Sequence, residues 1–507
     1  MHPLDIAALC FYLIVVLALG FYFSSNPSRR EFFVAGGAMG WFAVGLSVMA
    51  TLFSSNSFVF YPSAALGNSL RIGMSLVAFS LMTPIVMWVF IPVYARLQVE
   101  TAYQYLEQRF HLAVRATASG LFILLRIGWM ASATYSASLV VAKVADLSQG
   151  VVILVIGVVA IGYTMVGGMR AVMWTDVFQF FIFTSVILVI LVMVFAQNES
   201  SVAGVMKTYL HGRDGLLVDF EPSLTLPFGT WALLIGVFLE GLSAFGADQV
   251  AVQRYLAARS EATSQRAALL NLLGMWMVIP SLLLIGVGLY AHYSAHPELL
   301  GATSLTAALE ADPKVADTVL PLFARQYFPP GLTGLFIAAL LAAIMSSIDS
   351  GIHSVTTALV VDFRDRLFPH LRPTSDHQDV LLIRCLLLTV GTIAVTLAFF
   401  VGPLGNVFDI GKKLTAAFGG PLLAIFILAL FSRRATWLGV LLGSIIAAAI
   451  TLVMMERFSD WFSVWFWPLG FGLALVLGYL LSYLQPRPHA PLTYFEVIRE
   501  KKASDSP

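Results

Sequence analysis

Thirteen apolar stretches, each long enough to cross a lipid bilayer, follow one another along this chain of 507 residues. A spanning helix needs about 20 residues, and such runs lie near 4–24, 41–66, 72–96, 113–142, 150–167, 171–196 and 229–253. Six more lie near 266–291, 331–361, 379–401, 404–431, 435–455 and 461–484. In hydrocarbon every backbone N–H and C=O must be satisfied inside the protein, so runs of this length predict spanning helices. The expected fold is therefore an all-α polytopic membrane protein with about 13 transmembrane helices. Composition agrees: 59% hydrophobic residues, 11% charged residues and a mean hydropathy of +0.86 exclude an ordinary water-soluble globule.

The basic residues give an orientation. With the N-terminus outside, the inward loops and the C-terminal tail carry nineteen of the 29 Lys and Arg, and the outward segments carry seven. Arg126, Lys412 and Lys413 fall within spans. Basic residues concentrate on the cytoplasmic side of membrane proteins, so a multi-pass cell-membrane protein with a cytoplasmic C-terminus is expected. No basic segment precedes the first stretch, and Asn26-Pro-Ser-Arg-Arg30 after it is no small-residue cleavage site, which predicts a retained helix rather than a signal peptide. The two cysteines, Cys10 and Cys385, lie in apolar stretches and define no disulfide framework.

Two of the stretches are interrupted near their centres. One reads Ser47-Val-Met-Ala-Thr-Leu-Phe-Ser-Ser-Asn-Ser57, the other Glu240-Gly-Leu-Ser-Ala-Phe-Gly-Ala-Asp-Gln249. Small residues also permit close helix packing. A pair of interrupted segments at corresponding places in two halves, however, points to a transporter's central binding site.

In the first of them Ala50, Phe53, Ser54 and Ser57 stand at i, i+3, i+4 and i+7, and Ala343, Ser346, Ser347 and Ser350 repeat that spacing on a later stretch. If the two faces oppose each other, the carbonyls of Ala50, Phe53 and Ala343 and the hydroxyls of Ser346 and Ser347 supply five neutral oxygens. Hard cations take oxygen ligands, and a set without a carboxylate suits a single charge. Na+ is the expected ion.

Several ordered motifs carry a resemblance. They are Glu31-Phe-Phe-Val-Ala-Gly-Gly37, Thr101-Ala-Tyr-Gln-Tyr-Leu-Glu-Gln-Arg-Phe110, Gly167-Gly-Met-Arg-Ala-Val-Met-Trp-Thr-Asp-Val-Phe-Gln179, Asp248-Gln-Val-Ala-Val-Gln-Arg254 and the Ser346 segment. Over residues 5–484 the chain resembles the solute:sodium symporters, the family of the sodium/glucose cotransporters and bacterial sialic acid transporters. The resemblance implies a leucine-transporter-type core of five-plus-five inverted repeats. Its parts would be a peripheral first helix and inward loop at 1–40, repeats at 41–196 and 229–431, an extracellular loop at 197–228, two peripheral helices at 432–484 and a tail at 485–507. It also implies the sodium ligands Ala50, Phe53, Ala343, Ser346 and Ser347. In some relatives a second sodium lies near the positions of Asp176, Asp349 and Ser350. Asp349 departs from the serine of those relatives, so two carboxylates face one ion or a proton replaces it. The competing roles are a solvated Asp176 beside Arg170 and an Asp349 paired with a neighbouring base.

For the solute, the sugar-binding glutamate of the sugar-transporting relatives falls near Leu76, where no acid lies in reach, and their glutamine aligns with Lys413. A lysine in the cavity favours a carboxylate, and Arg126, three residues before Trp129, offers the same charge. Against this, Lys412 and Lys413 can snorkel to the interface and Arg126 can pair with an acid. The expected contacts are Ser54, Ser57, Trp129, Asp248, Gln249 and Lys413. The expected function is sodium-coupled import of a small polar solute, such as a sugar acid or other organic acid, by alternating access. Neutral sugar or polyol symport and proton-coupled transport on the same fold are the alternatives. A channel would need a continuous polar pore or filter, an enzyme a clustered catalytic set, and a sensor a signalling domain. None is legible in the sequence, and a non-enzymatic role without nucleic acid is expected.

Overall fold

The computed structural model describes residues 2–23, 28–53, 55–198, 200–213, 218–401, 407–489 and 491–498, the side chains of Leu52, Ser55, Asn56 and residues 407–414 excepted. Among them α1 (Pro3–Tyr22), α2 (Trp41–Leu52) and α3 (Ser55–Gly67) come first. They are followed by α4 (Leu70–Leu97), a short α5 (Ala102–Arg109), α6 (Leu112–Ala145) and a 48-residue α7 (Gln149–Ala196). After α8 (Val202–Gly212) come α9 (Ala232–Gly246), α10 (Gln249–Ala257) and α11 (Glu261–Ala295). The chain ends with α12 (Leu305–Ala311), α13 (Val315–Tyr327), α14 (Leu332–Leu367), α15 (Asp376–Val401), α16 (Val407–Phe431), α17 (Trp437–Arg457) and α18 (Ser463–Leu484).

Nine of the described helices are long and apolar enough to span by themselves, and α9 with α10 makes a tenth if that bent pair is one span. Among the described residues each of the thirteen expected stretches falls on helix, because α7 holds two of them and α2–α3 and α16 account for two more. The long polar connections carry short helices: 197–228 contains α8, and 292–330 contains α12 and α13.

The breaks have local causes. α2 ends where Phe53 turns to φ −85°, ψ 94°, out of the helical region. α9 and α10 meet at 47°, and the Asp248 carboxylate caps the new helix by accepting from the Val250 N–H at 2.8 Å. Inside α7 the chain turns at Gly168, whose φ of 60° and ψ of −162° suit only glycine. A Cβ there would also sit 3.0 Å from the Phe32 ring.

α14 is the axis of the bundle. In its most apolar window 94% of residues are buried, against 22% in α1, which therefore faces lipid. The Asp5 carboxylate ties α1 to the start of α14 by accepting from the N–H groups of Gly331 and Gly334 at 2.8 and 3.0 Å. α16, α17 and α18 pack together at the periphery, where Gly443 lets α17 approach so closely that an added Cβ would lie 2.4 Å from the Gly478 nitrogen.

One end of the bundle is bound by ion pairs. Asp362 accepts from Thr101, Ser119 and Arg115 at 2.7, 2.9 and 2.8 Å. Arg364 pairs with Asp379 at 2.6 Å and Asp365 at 2.7 Å, and Arg29 joins both acids. Burial alone would push the Glu107 carboxyl up, but hydrogen bonds from Arg366 and Arg115 outweigh it and hold the group below its ordinary value. Toward the other end, α3, α6 and α13 enclose a cavity of about 620 Å³. Ion pairs thus gather at the end that carries the C-terminal tail, and the cavity lies toward the other end.

Candidate sodium and solute site

The last four carbonyls of a helix lack a partner within it, and α2 ends one residue after Thr51. The serines of α14 meet these carbonyls. The Ser346 hydroxyl donates to the Ala50 carbonyl at 2.9 Å and lies 3.2 Å from the Ala343 carbonyl. The Ser347 hydroxyl lies 2.9 Å from the Thr51 carbonyl and 3.2 Å from the same Ala343 oxygen. Ala50, Ala343, Ser346 and Ser347 are all buried, and no formal charge stands among these oxygens. Phe53 is buried at the break itself, one turn from Ala50. The group also sits at the C-terminal end of α2, where the helix dipole places partial negative charge. Of the residues expected from their spacing, Ala50, Ala343, Ser346 and Ser347 meet directly, while Phe53 stands at the adjoining break. The Thr51 carbonyl is an addition.

A charged network adjoins this cradle through Thr51, whose hydroxyl lies 3.1 Å from that of Ser350. Its centre is Arg254 of α10, which has no exposed side-chain surface. Arg254 donates to Ser47 at 2.7 Å, to Asp176 at 3.0 Å, to the Val250 carbonyl at 2.8 Å and to Ser350. Ser47 in turn donates to Asp176 at 2.5 Å. Asp349 accepts from the Tyr163 hydroxyl at 2.5 Å and from Ser350. Asp176, Asp349 and Ser350 are therefore gathered as expected, but a guanidinium bridges Asp176 and Ser350. The structure replaces both competing roles: Asp176 is buried and pairs with Arg254, while Arg170 is exposed. Asp349 takes a tyrosine and a serine instead of a base. His353, one turn further along α14, accepts at Nδ1 from the Gln253 amide and donates from Nε2 to the Phe32 carbonyl, so it acts as polar packing.

On the solute side Arg126 of α6 is buried. Its Nε and Nη2 both donate to the same oxygen of Asp248, at 3.0 and 2.6 Å, and its guanidinium carbon lies 5.6 Å from the Trp129 ring centre. Trp129 and Ser57 are half-buried on α6 and α3. The structure does not bring Gln249 into this group: its amide accepts from the Ala102 N–H at 2.8 Å and donates to the Glu100 carbonyl at 3.0 Å, which makes it a buried clamp on the α4–α5 connection. Ser54 and the Lys413 side chain lie outside the described residues. About 9 Å further along α6 from Trp129, the cavity between α3, α6 and α13 is reached at Tyr135, with Lys143, Lys314 and Asp317 at its walls.

Thr51, Ser47, Tyr163 and Arg254 are participants that the sequence reading missed. The signal for Arg254 was present, since a base within the membrane-buried part of a bundle needs an acid partner and Asp176 was already singled out.

Two interrupted helices around a neutral oxygen cradle at membrane depth define a cation-coupled secondary transporter. Comparisons with known proteins agree. The chain is 29% identical over 483 residues to the sodium/sialic acid symporter NanT of Aliivibrio fischeri, covering 94% of this chain and 93% of that protein. It is 28% identical to the sodium/sialic acid symporter SiaT of Proteus mirabilis, covering 90% of each. A solved Na+-coupled sialic acid symporter in a substrate-bound outward-open state superposes with a TM-score of 0.86 at 26% identity, covering 96% of this chain and 98% of that one. A nucleobase-cation-symport-1 family transporter, at 14% identity and a TM-score of 0.56, shares the fold alone. The sequence model of the Sodium:solute symporter family matches residues 32–447. The chain belongs to that family, and it is a multi-pass sodium-coupled symporter with the leucine-transporter-type fold.

Proposed function

We propose that this symporter imports a small organic anion, with one sodium ion held by the carbonyls of Ala50, Phe53 and Ala343 and the hydroxyls of Ser346 and Ser347. The observation that carries the reading is the meeting of both serine hydroxyls with carbonyls at the broken end of α2. Sodium there joins an interrupted helix to the unbroken α14 and so favours one arrangement of the two. Solute bound beside it favours the same arrangement, and by linkage each raises the other's affinity by the same factor. The N-terminus lies outside and the tail in the cytoplasm, so the ion-paired end is the closed inner side and the cavity faces out. The repeats run over 41–196 and 229–431. The role is transport without enzymatic chemistry.

The anion meets Arg126. Both donors of Arg126 that reach Asp248 share one carboxylate oxygen, which leaves Nη1 to a second carboxylate beside Trp129. Lys143 and Lys314 outnumber Asp317 at the outer cavity and attract a negative solute. The relatives that transport sialic acid, itself an anionic sugar, support a sugar acid over a neutral sugar. A second sodium at Asp176, Asp349 and Ser350 would require Arg254 to withdraw from Asp176.

Uptake into proteoliposomes under a sodium gradient tests the reading. Labelled sialic acid and other carboxylates are expected to enter with sodium and to compete with one another. A neutral sugar that outcompetes every carboxylate would end the anion assignment, and uptake indifferent to sodium would end the coupling.

A further inference from the structure

At the tail-side end of the peripheral helices a groove of about 760 Å³ runs between α16 and α18. Its walls are apolar, with Ile427, Leu428 and Phe431 on one side and Leu475, Val476 and Leu480 on the other. Phe431, Val476 and Leu480 are each about half exposed, on helices that face lipid. Its rim carries Arg433, Arg434 and Arg487. Beyond the rim lies a second cavity of about 700 Å³ that shares Arg433 and Arg487 and adds His489.

The charges at this rim are unbalanced. Glu496 pairs with Arg433 at 2.9 Å and is the one carboxylate lining either cavity among the described residues. Arg434 lies over the Tyr483 ring, 4.4 Å from its centre, and donates Nη2 to the Gln485 carbonyl at 2.9 Å. Its Nη1 is buried without a hydrogen-bond partner. A buried donor without an acceptor is costly, and an anion seated at the rim supplies one.

We propose that this groove binds one anionic phospholipid, its phosphate between Arg434 and Arg487 and an acyl chain along the α16–α18 wall. Basic pockets between spanning helices are suited to such headgroups. A soluble phosphate would leave the apolar wall unused, and a zwitterionic lipid would bring a positive group against three arginines. Binding here would brace the peripheral helices and the tail, which Glu496 connects to Arg433.

Native mass spectrometry of the delipidated full-length protein, titrated with phosphatidylglycerol or phosphatidylcholine, tests this. Two unpaired rim charges predict about a thirtyfold preference for phosphatidylglycerol, and Arg487→Gln is expected to lower its retention about fivefold. Arg434→Gln removes the orphan donor but also the bond to Gln485, so the exposed Arg487 provides the variant that leaves the fold intact. Val476→Asp, on the acyl wall, is expected to weaken lipid retention without touching the arginines. Equal retention of the two lipids, no effect of Arg487→Gln, or displacement by millimolar inorganic phosphate would each overturn the proposal, the last by revealing a soluble-anion site. Sodium-driven uptake is measured separately in phosphatidylcholine vesicles, so neither result decides the other.

Discussion

Replacing Ser346 or Ser347 with alanine removes one of the five oxygens proposed for sodium and, with it, two contacts to backbone carbonyls at 2.9 and 3.2 Å. Contacts of a polar group with a charged partner contribute about 1.5–3 kcal/mol. The sodium concentration for half-maximal uptake should therefore rise about tenfold to a hundredfold in either variant. Folding loses a neutral hydrogen bond, worth about 0.5–1.5 kcal/mol, so the protein remains assembled. Initial uptake rates in proteoliposomes over a sodium titration measure the first effect, and melting temperatures without sodium measure the second. Equal half-saturation in the wild type and both folded variants would refute the reasoning. A fall in melting temperature with unchanged sodium activation would assign the serines to packing alone.

Other residues yield separate expectations. Arg126→Lys keeps the charge but loses the forked geometry; it should raise KM for a carboxylate solute about tenfold, one lost charged hydrogen bond, and leave sodium affinity without solute unchanged in binding assays. Gln249→Ala breaks two bonds to the backbone of Glu100 and Ala102 and should destabilise the protein by about 2 kcal/mol, read as a lower melting temperature with KM unaltered. Arg254→Gln or Asp176→Asn alone leaves a buried charge unpaired at a cost of about 3–5 kcal/mol. The double variant should be more stable than either single one, as a thermal double-mutant cycle would reveal. For Glu107, whose carboxyl is held below its ordinary value, the stabilisation is present at neutral pH and disappears as pH falls through that lowered value. The melting-temperature gap between wild type and Glu107→Gln should close in acid.

The spanning helices were legible because hydrocarbon imposes length and apolarity on each of them. The division of 150–196 was legible too, since Gly167 and Gly168 interrupt the run and Gly168 takes a conformation closed to other residues. The meeting of Ala50 with Ala343, Ser346 and Ser347 could be read from spacing because helices present i, i+3 and i+4 on one face. Gln249 was misread for the opposite reason: an interruption in a helix marks a break without saying which side chain enters the cavity, and this one turns toward the α4–α5 connection. Arg254 was missed because its acid partner lies 78 residues away, on α7. Only the packing of both α10 and α7 against α2 and α14 brings the two together.

A density map of the purified protein at saturating sodium, compared with one prepared in a sodium-free potassium or choline buffer, is the most direct test of the central claim. A sodium-dependent peak among the Ala50, Phe53 and Ala343 carbonyls and the Ser346 and Ser347 hydroxyls is the predicted result. The same oxygens bonded only to one another in both maps, with the sodium-dependent peak elsewhere or absent, would contradict it.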